Sequence, residues 1–85
     1  MIGRNSKVHI IKFEHGRRVY LHKTGTVRNA RGEILLFTGW DADPSWSTPF
    51  TYEMANLVRE RIKREQGVKT FLAFQAGDTA ELFEQ

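Results

Sequence analysis

Two stretches near the start of the chain, Lys7-Val8-His9-Ile10-Ile11-Lys12-Phe13 and Arg18-Val19-Tyr20-Leu21-His22-Lys23, alternate apolar and polar positions with a period close to two. That period, carried by β-branched and aromatic side chains, predicts two strands. Glu14-His15-Gly16-Arg17 separates them, and its glycine can supply the positive φ of a tight turn, so the strands form a hairpin. With His15-Gly16 as a two-residue loop, Phe13 faces Arg18, Ile11 faces Tyr20 and His9 faces His22 on one side, while Ile10 faces Leu21 on the other. Val8, Ile10, Val19 and Leu21 make the more apolar face, the one expected to meet a helix.

A third antiparallel strand is predicted over Ile34-Leu35-Leu36-Phe37-Thr38, after a turn at Asn29-Ala30-Arg31-Gly32-Glu33. Its register stays open: a two-residue loop sets Val27 opposite Leu36, and a three-residue loop with Gly32 left-handed sets it opposite Leu35. Residues 39–49 hold Pro44 and Pro49 and read as a connection, because proline interrupts both helix and central strand.

Thr51 is a suitable N-cap, Phe50 stands before it as a hydrophobic staple, and Met54, Ala55, Val58 and Ile62 recur at helical spacing. Glu53, Asn56, Arg59, Glu60, Lys63 and Arg64 fall on the other side, and Gly67 ends the helix. Val68-Lys69-Thr70-Phe71-Leu72-Ala73-Phe74 reads as a fourth strand, and the segment from Gln75 to Gln85 is left open between a short helical turn at Leu82 and Phe83 and a frayed end. The order β-β-β-α-β predicts an α+β domain, an antiparallel sheet with one helix packed on one face. The other face is then expected to lie open, displaying Ile11, Phe13, Tyr20 and either Leu35 or Phe37 as an interaction or homodimer surface.

Composition narrows the function classes. A chain of 85 residues is expected to form a single domain over residues 1–85, with 1–6 and 76–85 as candidate frayed ends, since a chain this short buries only about 60% of its unfolded surface. Without cysteine there is no disulfide framework, thiolate metal site or cysteine nucleophile. Residues 1–7, Met-Ile-Gly-Arg-Asn-Ser-Lys, lack the apolar core of a signal peptide, and apolar runs are far below the roughly 20 residues of a membrane span, so a cytoplasmic location is expected.

The charge is lopsided, although the net value is only +3. Up to Arg31 the only acid is Glu14, against Arg4, Lys7, Lys12, Arg17, Arg18, Lys23, Arg28 and Arg31. Interleaved with aromatic strand residues, Lys7, Lys12, Arg18, Lys23, Arg28 and Arg31 form a candidate nucleic-acid surface, but no RNP motif or helix-turn-helix accompanies them.

Catalytic and metal signals are thin. His9 and His22 would stand side by side across the hairpin, but spacing fixes no third ligand, and we expect no metal and no cofactor. Asp41 and Asp43 lack the later positions of a calcium loop and read as turn-capping acids. Thr24-Gly25-Thr26-Val27 is no phosphate loop, and no Ser-His-Asp set emerges, so we expect no enzyme. Trp46, in the proline-bearing connection, is an interface candidate, whereas Trp40 continues a strand and belongs to the core. The residues expected to bind a partner are Phe13, Arg17, Arg18, Tyr20 and Trp46.

The phrase Phe50-Thr51-Tyr52-Glu53-Met54-Ala55, opening a helix after an Asp-bearing loop, resembles the helix start of small accessory proteins of phages and prophages, across residues 7–66. Asn29-Ala30-Arg31-Gly32-Glu33-Ile34 before the helix also resembles short bacterial repeat domains of the YegP type. Neither resemblance implies catalytic residues. The first implies a non-enzymatic, anti-CRISPR-like inhibitor that blocks or redirects a host protein complex, although this chain is basic where many such mimics are acidic.

Overall fold

The structure, a computed structural model, describes residues 6–84. Its elements are β1 (Lys7–Glu14), β2 (Arg17–Arg28), β3 (Ile34–Asp41), a short 3-10 helix (Pro44–Trp46), β4 (Phe50–Thr51), α1 (Tyr52–Gln66) and β5 (Phe71–Ala73). The antiparallel sheet runs β3-β2-β1-β4, and β5 also pairs with β1, giving the α+β architecture with a single helix on one face.

The first turn forms because His15 and Gly16 both adopt positive φ, 53° and 75°, the geometry of a two-residue hairpin loop whose twist matches its strands. Phe13 accordingly pairs with Arg18 and Ile11 with Tyr20. The expected pairs His9–His22 and Ile10–Leu21 do not form, because β1 and β2 part company after Ile11 and Tyr20. There the incoming chain is tied to both strands: Thr48 N–H and hydroxyl donate to the Leu21 and His22 carbonyls, and Phe50–Thr51 pair with Lys7–Val8. The Pro44 and Pro49 pattern concealed this short strand.

The second turn settles the register left open by the sequence. Gly32 has φ 81°, and Val27 pairs with Leu35. A bulge between Leu21 and Lys23 then adds His22 without a partner, and β3 runs on to Asp41, beyond the predicted end at Thr38. The bulge adjusts the pleat so that Trp40 and Leu36 pack with Val8, Ile10, Leu21, Ala55, Ile62 and Leu72 under α1.

α1 begins where Thr51 accepts the Met54 N–H and ends where Gly67, at φ 67°, returns its own N–H to the Lys63 carbonyl. Its buried residues are Ala55 and Ile62; Met54, assigned to the apolar stripe by spacing, is half exposed. The helix also guards the sheet edge. Glu65 accepts the Leu36 N–H at 2.7 Å, Gln66 donates to the Leu36 carbonyl and Arg61 to the Ile34 carbonyl, so helix side chains occupy the outer edge of β3 at its Ile34–Leu36 end.

The largest departure concerns the second face. Rather than fraying, the chain after β5 folds back across the sheet: Ala76, Ala80 and Leu82 pack on Ile11, Tyr20 and Ala73, all fully buried. Arg18 Nη1 holds this strap through the Gly77 and Ala80 carbonyls at 2.8 and 2.7 Å, Leu72 and Phe83 exchange backbone hydrogen bonds, and Arg59 donates to the Glu84 carbonyl. The expectation that Ile11 and Tyr20 lie on an open or dimerising face is therefore overturned, and the segment from Gln75, left open between a helical turn and a frayed end, forms this strap over its described part. Residues 1–5, also candidates for fraying, and Arg4 lie outside the described residues. No helix among the described residues is long and apolar enough to cross a membrane.

Candidate interaction surface

The strap covers only the β1–β2 end of this face. Farther along, β2 and β3 continue as a two-stranded ribbon, and register decides what it shows. Leu36 and Trp40 point under the helix, so Leu35, Phe37 and Gly39 point to the opposite side. Gly25 is opposite Phe37 and leaves its ring uncovered, and Gly39 is opposite Lys23. A Cβ at Gly39 would sit 2.8 Å from Lys23 Cγ and 3.4 Å from His22 Nε2, which shows that the bulge lays both side chains over that glycine. Beyond His22 comes Trp46, whose ring centroid is 6.4 Å away in an edge-on arrangement.

A continuous row results: Trp46, His22, Lys23, Phe37, then Val27 with Leu35. Trp46 is 63% exposed, Val27 47% and Phe37 42%. The 3-10 turn holding Trp46 is well fixed. Asp43 accepts the Ser45 N–H and hydroxyl, and these hydrogen bonds, which favour the anion, hold its carboxyl below the usual range. Asp41 accepts the Asp43 N–H, so both acids cap turns. Ser47 Oγ lies 2.7 Å from His9 Nδ1, and burial lowers the His9 pKa. His9 and His22 are thus separated in role, one pinning the loop and one backing Trp46, and no group of three His, Asp or Glu side chains among the described residues is placed to hold a metal ion.

The expected binding residues divide three ways. Trp46 lies on the row. Phe13 and Arg18 lie at the other end of the face, beside a cleft that Gly16, Arg17, Ala42 and Asp78 also border, while strand alternation directs the side chain of Arg17, paired with Glu14, to the opposite side of the hairpin. Tyr20 is core: it is fully buried, its hydroxyl donates to Asp78 at 3.3 Å, and burial and then the Asp78 carboxylate raise its pKa. It is therefore no surface contact.

The candidate nucleic-acid set is dispersed as well. Lys12 lies over the Trp40 ring at 4.6 Å and pairs with Glu14, on the helix side of the sheet. Arg18 holds the strap and Arg28 donates to the Gly32 carbonyl, which leaves Lys7, Lys23 and Arg31 without a side-chain partner among the described residues. Sequence reasoning missed Val27 and the partnership of His22 with Lys23, since neither can be placed before the bulge and the turn register are known.

No family model, curated protein or solved structure matches this chain.

Proposed function

We propose that this chain is a non-enzymatic protein-interaction module that docks its partner on the row from Trp46 through Phe37 to Val27. The observation that carries this reading is the uncovered ribbon face itself, where an exposed tryptophan, an exposed phenylalanine and an exposed valine share one side that neither the helix nor the strap reaches. Apolar and aromatic residues in a contiguous exposed patch, with a tryptophan at one end, have the composition of interface hot spots. The resemblance of the helix start to phage accessory proteins extends the proposal to the partner's identity, a host protein complex that is blocked or redirected.

Affinity capture with the wild-type chain, Trp46→Ala and Phe37→Thr tests it. Both variants should lose the captured protein while keeping a native circular dichroism spectrum and melting temperature, because both side chains are substantially exposed. Undiminished capture by both would reject the surface.

Nucleic-acid binding is the second reading, favoured by Lys23 lying between His22 and Phe37. The three members of that candidate set without a side-chain partner among the described residues, Lys7, Lys23 and Arg31, would by themselves contribute a log–log slope of magnitude about 2.7, at about 0.9 per neutralised phosphate.

A further inference from the structure

β2 outruns β1. Its pairing with β1 ends at Tyr20, and Thr48 takes the Leu21 and His22 carbonyls, so from Lys23 to Arg28 no strand among the described residues lies on the side of β2 turned away from β3. The ladder shows which backbone groups point there. Leu36 gives its N–H to Glu65 and its carbonyl to Gln66, both outside the sheet, so its antiparallel neighbour Thr26 turns its own N–H and C=O away from β3. With a period of two, Thr24 and Arg28 do the same. All three residues are exposed, and their outward main-chain groups have no partner among the described residues. The two outer edges of the ribbon therefore differ: helix side chains occupy β3 at its Ile34–Leu36 end, whereas residues 24–28 of β2 carry neither the proline nor the bulge that usually blunts an edge.

We infer that this edge pairs with the same edge of a second copy of the chain, antiparallel about a two-fold axis at Thr26. Unlike the docking row, the edge calls for no foreign protein; its own residues complement themselves. In this register Thr26 faces Thr26, Thr24 faces Arg28 and Lys23 faces Asn29, so no cation meets a cation across the seam. Thr24, Thr26 and Arg28 each exchange both main-chain hydrogen bonds with their opposite residue. On the ribbon face, Val27 of one copy falls opposite Gly25 of the other in a close non-hydrogen-bonded pair, next to the Phe37 ring that Gly25 leaves uncovered. Val27 and Phe37, both half exposed in the single chain, then shield each other from water across the seam. Neighbouring registers fit worse. A slide of two residues one way needs the His22 carbonyl, which Thr48 already holds, and a slide the other way sets Thr24 against Ala30, in the turn beyond the strand.

Sedimentation equilibrium of the purified chain tests the pairing. The mass should rise from that of one chain toward that of two over about 10–500 µM, the behaviour of a small, transient interface. Thr26→Pro removes the N–H at the centre of the seam and leaves the β2–β3 ladder alone, so it should weaken association at least about tenfold with a native circular dichroism spectrum. Thr26→Lys and Thr26→Glu keep the test should proline disturb the strand, because the side chain is exposed. Each of these two alone opposes like charges across the axis, and an equimolar mixture opposes unlike ones; the mixture should associate about fivefold more tightly than either variant. A wild-type chain that stays single over the whole range, undiminished association of folded Thr26→Pro, or Lys and Glu variants that associate no better mixed than alone would each overturn the assignment. The purified chain meets no other protein, so failure here is distinct from failure of the capture experiment.

Discussion

Replacing Arg18 by methionine separates the structure's account of this residue from the sequence's. As an exposed interaction residue, Arg18 would cost less than about 0.5 kcal/mol to lose, the usual range for surface positions. The structure instead sets one guanidinium nitrogen against two main-chain carbonyls, Gly77 at 2.8 Å and Ala80 at 2.7 Å. A hydrogen bond from a charged donor is worth about 1.5–3 kcal/mol, and two bonds sharing one nitrogen are coupled, so the pair is worth about 2–4 kcal/mol rather than twice the single value. Methionine keeps the apolar stem and vacates both carbonyls. Against a total stability of about 4–13 kcal/mol for a chain of this length, the variant loses a substantial share. Urea unfolding should therefore show a fall in midpoint with little change in slope. Amide exchange should accelerate first in residues 76–84, because the strap detaches before the sheet opens. A change below about 0.5 kcal/mol, with strap exchange unaltered, would refute the clamp.

Other outcomes follow from the same geometry. Tyr20→Ala should cost about 3–5 kcal/mol in chemical denaturation, as for other large aromatic truncations in cores, whereas Tyr20→Phe should cost about 1 kcal/mol through the lost Asp78 hydrogen bond. His9 has a folded pKa below its ordinary 6.5, so the unfolded chain binds the proton more readily. Its contribution to stability is thus complete above pH 6.5 and falls as the pH drops below that value; thermal melts between pH 5 and 7.5 should show a decline that His9→Gln lessens. Glu65 is likewise held below the carboxylate range, by the Leu36 N–H and then by Arg61, and its contribution should persist above pH 4.5 and disappear on further acidification. Gly67→Ala should cost about 1 kcal/mol in denaturant melts, because the residue is left-handed although the space around it is open.

The parts of this fold that were legible in the sequence are those specified locally. The His15-Gly16 turn fixed the Phe13–Arg18 and Ile11–Tyr20 pairs, and Thr51 and Gly67 bounded the helix, because each is a backbone preference acting within a few residues. What escaped depends on partners far along the chain. Ala76, Ala80 and Leu82 form no periodic pattern of their own, and only Ile11 and Tyr20 give them something to cover. Arg59, assigned by spacing to the polar face, spends its guanidinium on Thr70 and Glu84. The binding surface was legible only in part for the same reason: Trp46 was visible as an isolated tryptophan in a loop, but Phe37 and Val27 could be put beside it only after Gly32 had chosen the turn and the bulge at His22 had set the pleat.

A photo-crosslinking amino acid placed in turn at Phe37, Val27 and Glu60 tests whether the Trp46–Phe37–Val27 row meets a protein. Glu60 is an exposed position on α1, outside the row. One protein adduct should be shared by the two ribbon positions and absent from the helix position. An adduct of equal yield at all three, or one at the ribbon that nuclease removes, would contradict a protein docked on the row.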